Sequence, residues 1–258
     1  MPSAAPVVLV HPNLELTAQG VAARLVTRLV EAQSTASPVH LGATGGGLGT
    51  AVWPAVAAQP LAGAVDWTGV HVWFSDERFV DAGDAERNDA AVLAVAGALG
   101  LPRAHVHRVP GPDGVPDVTA AARAYAAELA AWAAPGEAVA APWFDVSLLG
   151  VGPDGHVASL FPGRPEGRVT TGTTVAVRDS PKPPPQRVSF TRPALGHCRE
   201  LWFLAAGAAK AEAVGRALGG EDPGRIPAAG LRGADRTLWF LDADLAAALS
   251  GGGADLTE

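Results

Sequence analysis

The sequence contains few of the features that mark secreted, membrane or nucleic-acid-binding proteins. Its 258 residues include one cysteine, Cys198, so an intramolecular disulfide and a multi-cysteine metal site are both excluded. The formal net charge is −7 without any run of Lys and Arg, which argues against nucleic-acid binding, because that binding neutralises many phosphates. No uncharged apolar stretch reaches the ~18 residues of a membrane-spanning helix. Residues 1–6 lack the basic segment of a signal peptide, so we expect a cytoplasmic protein that does not bind membranes.

Short apolar segments alternate with longer, alanine-rich helical patterns. Strands are predicted at residues 7–10, 39–41, 70–74, around 106, and at 144–149, 175–177, 187–191, 201–204 and 238–241. Helices are predicted after the capping residue Asn13, from 88 or 89 to about 99, from a Thr119 cap to Trp132, and over 208–218 and 245–249. This alternation predicts an α/β fold, with a Rossmann-like, mostly parallel sheet and helices on both faces. We expect a single domain over residues 1–250 and a flexible tail over 251–258.

Ligands bind at the carboxyl ends of the strands in such sheets, so the segments that follow predicted strands are the candidates for a site. The first is the glycine-rich segment Thr44-Gly45-Gly46-Gly47-Leu48-Gly49. Glycines there let backbone N–H groups approach an anion, and the helix N-terminus favours negative charge. The segment lacks the residues of a P-loop and the spacing of a dinucleotide-binding motif. A tight turn without a ligand is an equally good interpretation of the loop alone.

Charged residues also follow predicted strands. Ser75-Asp76-Glu77-Arg78 comes after the third strand, and an arginine there can bind phosphate while the acids orient it or hold substrate hydroxyls. Taken by itself, this segment is more typical of a solvated charged loop than of a binding site. Lys182, Arg187 and Lys210 are further candidate contacts for an anion, since both lysines lie beside strand ends in a chain that has few lysines.

The most specific segment is 148–163, in which a predicted buried strand runs into Gly152-Pro153-Asp154-Gly155-His156. Histidine titrates near neutral pH, so His156 suits general base catalysis, and Asp154 is placed to orient it or to cap a helix. A lone histidine is usually structural, but the length of this unusual run favours catalysis. His105 and His107 are predicted on one face of a strand, and without a third ligand they do not make a metal site.

Several segments together resemble the 6-phosphogluconolactonase family. They are residues 150–162, 75–80 with a later Asn88, 184–191 and 207–210. The resemblance implies a Rossmann-like sheet and hydrolysis of 6-phospho-D-glucono-1,5-lactone to 6-phosphogluconate in the pentose phosphate pathway, without a metal or another cofactor. The glycine loop departs from the family's usual Ser-Gly-Gly-Ser/Thr, and Val80-Asp81 replaces its usual ending after the Asp-Glu-Arg segment.

Lactone hydrolysis needs a water, a base, charge stabilisation at the carbonyl oxygen and a proton for the leaving ring oxygen. We expect His156 to be the base, with Asp154 as the second catalytic residue. The predicted substrate- and phosphate-binding residues are Thr44, Gly45, Gly46, Asp76, Arg78, Arg187 and Lys210. Which cation binds phosphate and which stabilises the oxyanion stays open at this stage.

Two alternatives belong to different functional classes. Glucosamine-6-phosphate deaminases are similar but continue after Asp-Gly-His with Ile-Ala-Phe-Asn-Glu-Pro, and that glutamate supports ring opening. The corresponding residues 157–162 contain no acid, which favours the lactonase. A non-catalytic sugar-phosphate-binding module would need the glycine loop and the cations but not His156. The expected partner is a small sugar-phosphate lactone, with the protein a monomer or small homo-oligomer.

Overall fold

The computed structural model describes residues 5–251, which form two sheets and seven α-helices. The strands are β1 Val7–His11, β2 Val39–Ala43, β3 Val70–Phe74, β4 Asp76–Arg78, β5 Val106–His107, β6 Phe144–Gly150, β7 Thr174–Val177, β8 Arg187–Phe190, β9 Cys198–Ala205 and β10 Arg236–Asp242. The helices are α1 Leu14–Gln33, α2 Gly46–Ala57, α3 Asp89–Leu99, α4 Val118–Ala131, α5 Arg192–Leu195, α6 Ala211–Leu218 and α7 Ala243–Gly251. The predicted tail lies outside the described residues, apart from residue 251, which ends α7.

The large sheet has seven parallel strands in the order β1-β10-β9-β6-β2-β3-β5. Helices α1, α2 and α3 cover one face, and α4, α6 and α7 cover the other, so each face has its own apolar core. β1 is an edge strand that pairs only with β10. The predicted α/β fold with helices on both faces is therefore confirmed. No helix within residues 5–251 is both long and apolar enough to cross a membrane.

Local signals explain where the helices begin. The Asn13 side chain accepts the Leu16 N–H at 2.9 Å and caps α1, as its sequence position predicts. The predicted Thr119 cap of α4 is wrong. Asp117 is the cap, because its backbone is extended and its carboxylate accepts the Ala120 N–H at 2.8 Å, while Thr119 already lies in the first turn.

The small sheet is antiparallel, in the order β4-β8-β7, and strand–helix alternation did not predict it. No helix separates β7 from β8, so the chain reverses through a proline-rich loop and the two strands pair antiparallel. In the β4–β8 register Arg78 lies opposite Arg187, and Asp76 lies opposite Ser189. This pairing brings two separate parts of the sequence to one place. His105 belongs to a 3₁₀ turn and not to a strand with His107, which corrects the prediction for that pair.

Candidate active site

A pocket of about 270 Å³ opens at the carboxyl end of the large sheet and is walled on one side by the small sheet. The predicted residues that line it are Thr44, Gly45, Gly46, Asp76, Arg78, His156, Lys182, Arg187 and Lys210. Asp154 does not line the pocket, but its carboxylate contacts the imidazole of His156, which does. The fold therefore brings together side chains that are distant in the sequence, at the sheet edge where α/β proteins bind ligands.

His156 follows β6 in a tight loop that fixes the direction of its imidazole. The Gly155 N–H donates to the Gly152 carbonyl at 3.0 Å, and the Gly152 N–H donates to the His156 carbonyl at 2.9 Å. Gly155 has a φ of +80°, a conformation that glycine adopts easily. A Cβ at Gly152 would lie 2.0 Å from the His156 ring, so that position needs glycine. The sequence Gly-Pro-Asp-Gly thus provides both the turn and the space for the histidine.

The imidazole of His156 is held by Asp154, whose Oδ1 makes a short hydrogen bond with Nδ1. Burial raises the pKa of Asp154, but the hydrogen bond from His156 and the charges of His156 and Lys182 outweigh it and lower that pKa to about 2. Asp154 is therefore ionised at neutral pH and accepts the Nδ1 proton. This assigns the lone pair of His156 to Nε2.

Asp76 connects the pieces of the pocket. Its Oδ2 accepts the Ser159 hydroxyl at 2.6 Å, and its Oδ1 and carbonyl oxygen accept Asn88 Nδ2 at 3.3 and 2.8 Å. Arg187 Nη1 lies 4.0 Å from the same carboxylate. Asp76 thus joins the small sheet to the loop that carries His156. The sequence did not single out Ser159, because only the folded chain brings it next to Asp76.

Cationic side chains face the pocket although the whole chain is acidic. Lys182 Nζ lies 3.4 Å from His156 Nδ1. Arg187 is fixed because it donates to the carbonyl oxygens of Pro184, Lys182 and Pro183 at 3.1, 3.1 and 2.9 Å. Burial, with the nearby charge of Lys182, lowers the pKa of Lys210. Such a cluster against a net charge of −7 indicates an anionic ligand.

The glycine loop also lines the pocket. α2 begins directly after Gly45, and no side chain caps its N-terminus, so its first N–H groups are free to bind an anion. A Cβ at Gly45 would lie 1.8 Å from Asn88 Oδ1, which shows how closely the loop approaches Asn88. Thr44 Oγ1 accepts the Gly150 N–H at 3.2 Å and ties the loop to the end of β6. Within the described residues, no group of three or more His, Cys, Asp or Glu is arranged to hold a metal.

The sequence is similar to that of known proteins along nearly its whole length. A sequence profile of the family described as glucosamine-6-phosphate isomerases/6-phosphogluconolactonase matches residues 12–239. The chain belongs to this family. It is 47% identical to the 6-phosphogluconolactonase of Streptomyces coelicolor, over 95% of both chains. It is 43% identical to that of Mycobacterium tuberculosis, over 93% of this chain and 97% of the relative.

Solved structures of family members have the same fold. The 6-phosphogluconolactonase of Thermotoga maritima is 25% identical, with a TM-score of 0.78 over 92% of this chain and 99% of that one. The enzyme of Trypanosoma brucei is 25% identical, with a TM-score of 0.79 over 96% of this chain and 100% of that one. The resemblance predicted from the sequence motifs is therefore confirmed.

Proposed function

We propose that the protein hydrolyses 6-phospho-D-glucono-1,5-lactone to 6-phospho-D-gluconate, a step of the pentose phosphate pathway. The observation that carries the proposal is the pair of His156 and Asp154 beside a cation-lined pocket. The names of the relatives point to the same reaction. The cytoplasmic location and the monomeric or small homo-oligomeric state remain predictions.

In the proposed reaction His156 Nε2 takes a proton from a water, and the water oxygen bonds to the lactone carbonyl carbon. The carbonyl oxygen becomes an oxyanion, and its charge is stabilised by the cations of the pocket. When the intermediate collapses, the bond between the carbonyl carbon and the ring oxygen breaks. The His156 imidazolium returns the proton to that ring oxygen, so one histidine serves both steps. Asp154 holds Nδ1–H throughout and stabilises the imidazolium.

We divide the anion contacts between the two ends of the substrate. Lys182 and Lys210 line the pocket together with His156, so we assign their ammonium groups to the oxyanion. Arg78 and the free N–H groups after Gly45 also line the pocket, and we assign them to the phosphate. A phosphate bound there supplies binding energy that positions the ring for attack.

Phe161 argues against the deaminase alternative. It occupies the position at which the deaminase motif has its glutamate, and it is buried, 2% exposed. Its ring centroid lies 4.7 Å from that of His156, with an interplanar angle of 36°. An apolar ring at this place cannot exchange a proton with the histidine. The pocket therefore favours activation of water over ring opening of an amino sugar.

The test is acid release from freshly prepared 6-phosphogluconolactone, measured above the spontaneous rate, beside ammonia release from glucosamine 6-phosphate. We expect lactonase turnover and no ammonia. His156→Ala should lower kcat by about 10²-fold or more, because a general base contributes that much. His105→Ala is the control, since His105 lies in a turn outside the pocket. Near-normal turnover of His156→Ala would refute its role as the base, and phosphate binding without wild-type turnover would favour a non-catalytic module.

A further inference from the structure

The buried carboxylate of Glu77 binds both ends of the loop that follows β4. Its side chain is fully buried, and Oε1 accepts the backbone N–H groups of Arg78 at 2.9 Å and of Asn88 at 2.8 Å. Its Oε2 accepts the Asp89 N–H at 3.0 Å. One side chain therefore holds both the end of β4 and the start of α3. Neither end of the loop can move without breaking a hydrogen bond to this buried carboxyl group.

Further buried charges fix Glu77 in turn. Arg87 Nη2 lies 3.8 Å from the Glu77 carboxylate and 2.7 Å from that of Asp89, and Asp89 binds Arg108 at 2.8 Å. Burial raises the pKa of Glu77 to about 7, although Arg87 and the backbone hydrogen bonds lower it. An apolar side chain would fill this space without the free-energy cost of removing a carboxylate from water. A carboxylate kept at such a place is more typical of function than of stability.

Two pocket residues depend directly on this arrangement. Arg78 lines the pocket, and its Nε is buried without a hydrogen-bond partner among the described residues. It therefore has a donor left for a ligand. Asn88 binds Asp76 and lies against Gly45, so its position also sets the glycine loop.

We propose that Glu77 is a positioning residue for recognition of a phosphate monoester. It holds the backbone of Arg78 and Asn88, so that the Arg78 guanidinium faces the phosphate and the glycine loop keeps its place. This inference rests on the proposed function for the chemical class of the ligand. Glu77 itself does not line the pocket, and it acts through Arg78.

The experiment is a double-mutant cycle of Glu77→Gln, Arg78→Ala and the double variant, with kcat and KM measured for 6-phosphogluconolactone and for unphosphorylated glucono-1,5-lactone. The amide keeps the volume of the carboxylate but presents N–H to at least one of its present donors. We expect Glu77→Gln to raise KM for the phosphorylated lactone about tenfold, as loss of a charged hydrogen bond does. Its KM for the unphosphorylated lactone should not change. In the Arg78→Ala background, Glu77→Gln should raise KM further by clearly less than the tenfold seen alone, because part of its effect passes through Arg78.

The matched control is Glu200→Gln. Glu200 is 7% exposed, pairs with Arg28 at 3.0 Å and accepts the Trp202 indole N–H at 2.9 Å, but it lies near the amino end of β9, away from the pocket. The KM of Glu200→Gln for 6-phosphogluconolactone should equal that of the wild type. If the role of Glu77 is purely structural, Glu77→Gln will have the KM of the wild type, or it will raise KM by the same factor with and without Arg78→Ala. Either result overturns the inference.

Two further measurements apply if Glu77→Gln does not fold or if the wild type has no lactonase turnover. If Glu77→Gln does not fold, Glu77→Asp takes its place in the cycle, because it keeps the charge but withdraws it from the loop. The same pattern of KM is expected. If the wild type has no lactonase turnover, the proposed function fails, and calorimetric titration with inorganic phosphate tests the inference instead. A Kd about tenfold weaker in Glu77→Gln than in the wild type supports the inference; equal affinities, or no binding by the wild type, overturn it.

Discussion

Acid should destabilise the protein through histidines at the amino end of the large sheet. His40, His71 and His107 lie on β2, β3 and β5, with ring centroids 5.4 Å apart for the first pair and 5.1 Å for the second. Trp73 donates to His40 Nδ1 at 3.1 Å, and His71 and His107 share a 2.8 Å hydrogen bond. Because these imidazoles are so close, a positive charge on one disfavours protonation of the next.

The size of the effect follows from two pKa values. Burial and the charges of neighbouring histidines lower the pKa of His40 from 6.5 to about 3 and that of His71 to about 4. Between pH 6.5 and 4 the unfolded chain therefore binds more protons than the folded one. The stability contributed by these neutral rings is complete above pH 6.5 and is lost as the pH falls. At pH 5 the loss is about 2 kcal/mol for His40 and, discounted for solvent screening, about 1 kcal/mol for His71.

The assay is urea unfolding followed by tryptophan fluorescence at pH 8 and pH 5, for the wild type and for the double variant His40→Gln, His71→Gln. Glu77 changes stability in the opposite direction over this interval, because its raised pKa lets the folded state take up a proton. The informative quantity is therefore the wild-type free energy of unfolding minus that of the variant. This difference should fall by ~3 kcal/mol between pH 8 and pH 5. A difference that does not depend on pH would refute the reasoning.

Two further substitutions test the geometry around His156. Gly152→Ala places a Cβ 2.0 Å from the ring, so it should displace the imidazole and lower kcat about 10²-fold. Gly97→Ala in α3 is the control, since a Cβ there meets nothing within 4 Å, and wild-type kcat for Gly152→Ala would contradict the geometry. Asp154→Asn removes the charge that fixes Nδ1–H, so kcat should fall by about 10²-fold while KM for 6-phosphogluconolactone stays within about twofold. A fall in substrate affinity without a fall in kcat would assign Asp154 to binding instead.

The large sheet and its ligand edge were predictable because they depend on local patterns. Residues 144–149 are predicted as a strand that is followed by Gly-Val-Gly-Pro-Asp-Gly, and the structure has β6 followed by the His156 loop at that place. Parallel strands all present their carboxyl ends at one edge, so the segments after β2, β3 and β6 had to meet. Backbone geometry alone therefore brings the glycine loop, Arg78 and His156 together.

The contacts within the site were not predictable, because they depend on pairings between distant residues. The hydrogen bond from Ser159 to Asp76 joins positions 83 residues apart, and nothing near either residue in the sequence indicates the other. The place of Lys182 beside His156 depends on the course of the proline-rich loop between β7 and β8. The small sheet was missed for a related reason, since strand–helix alternation says nothing about two strands joined without a helix.

The sheet order also determines when the first strand can find its partner during synthesis. β1 emerges from the ribosome more than 200 residues before its neighbour β10. At about 5–20 residues per second, the apolar segment Val7–Val10 waits on the order of ten seconds or more before it can pair. An unpaired hydrophobic strand is prone to associate with other chains. β1 is therefore open to such association during synthesis, and emergence of β10 from the ribosome ends that interval.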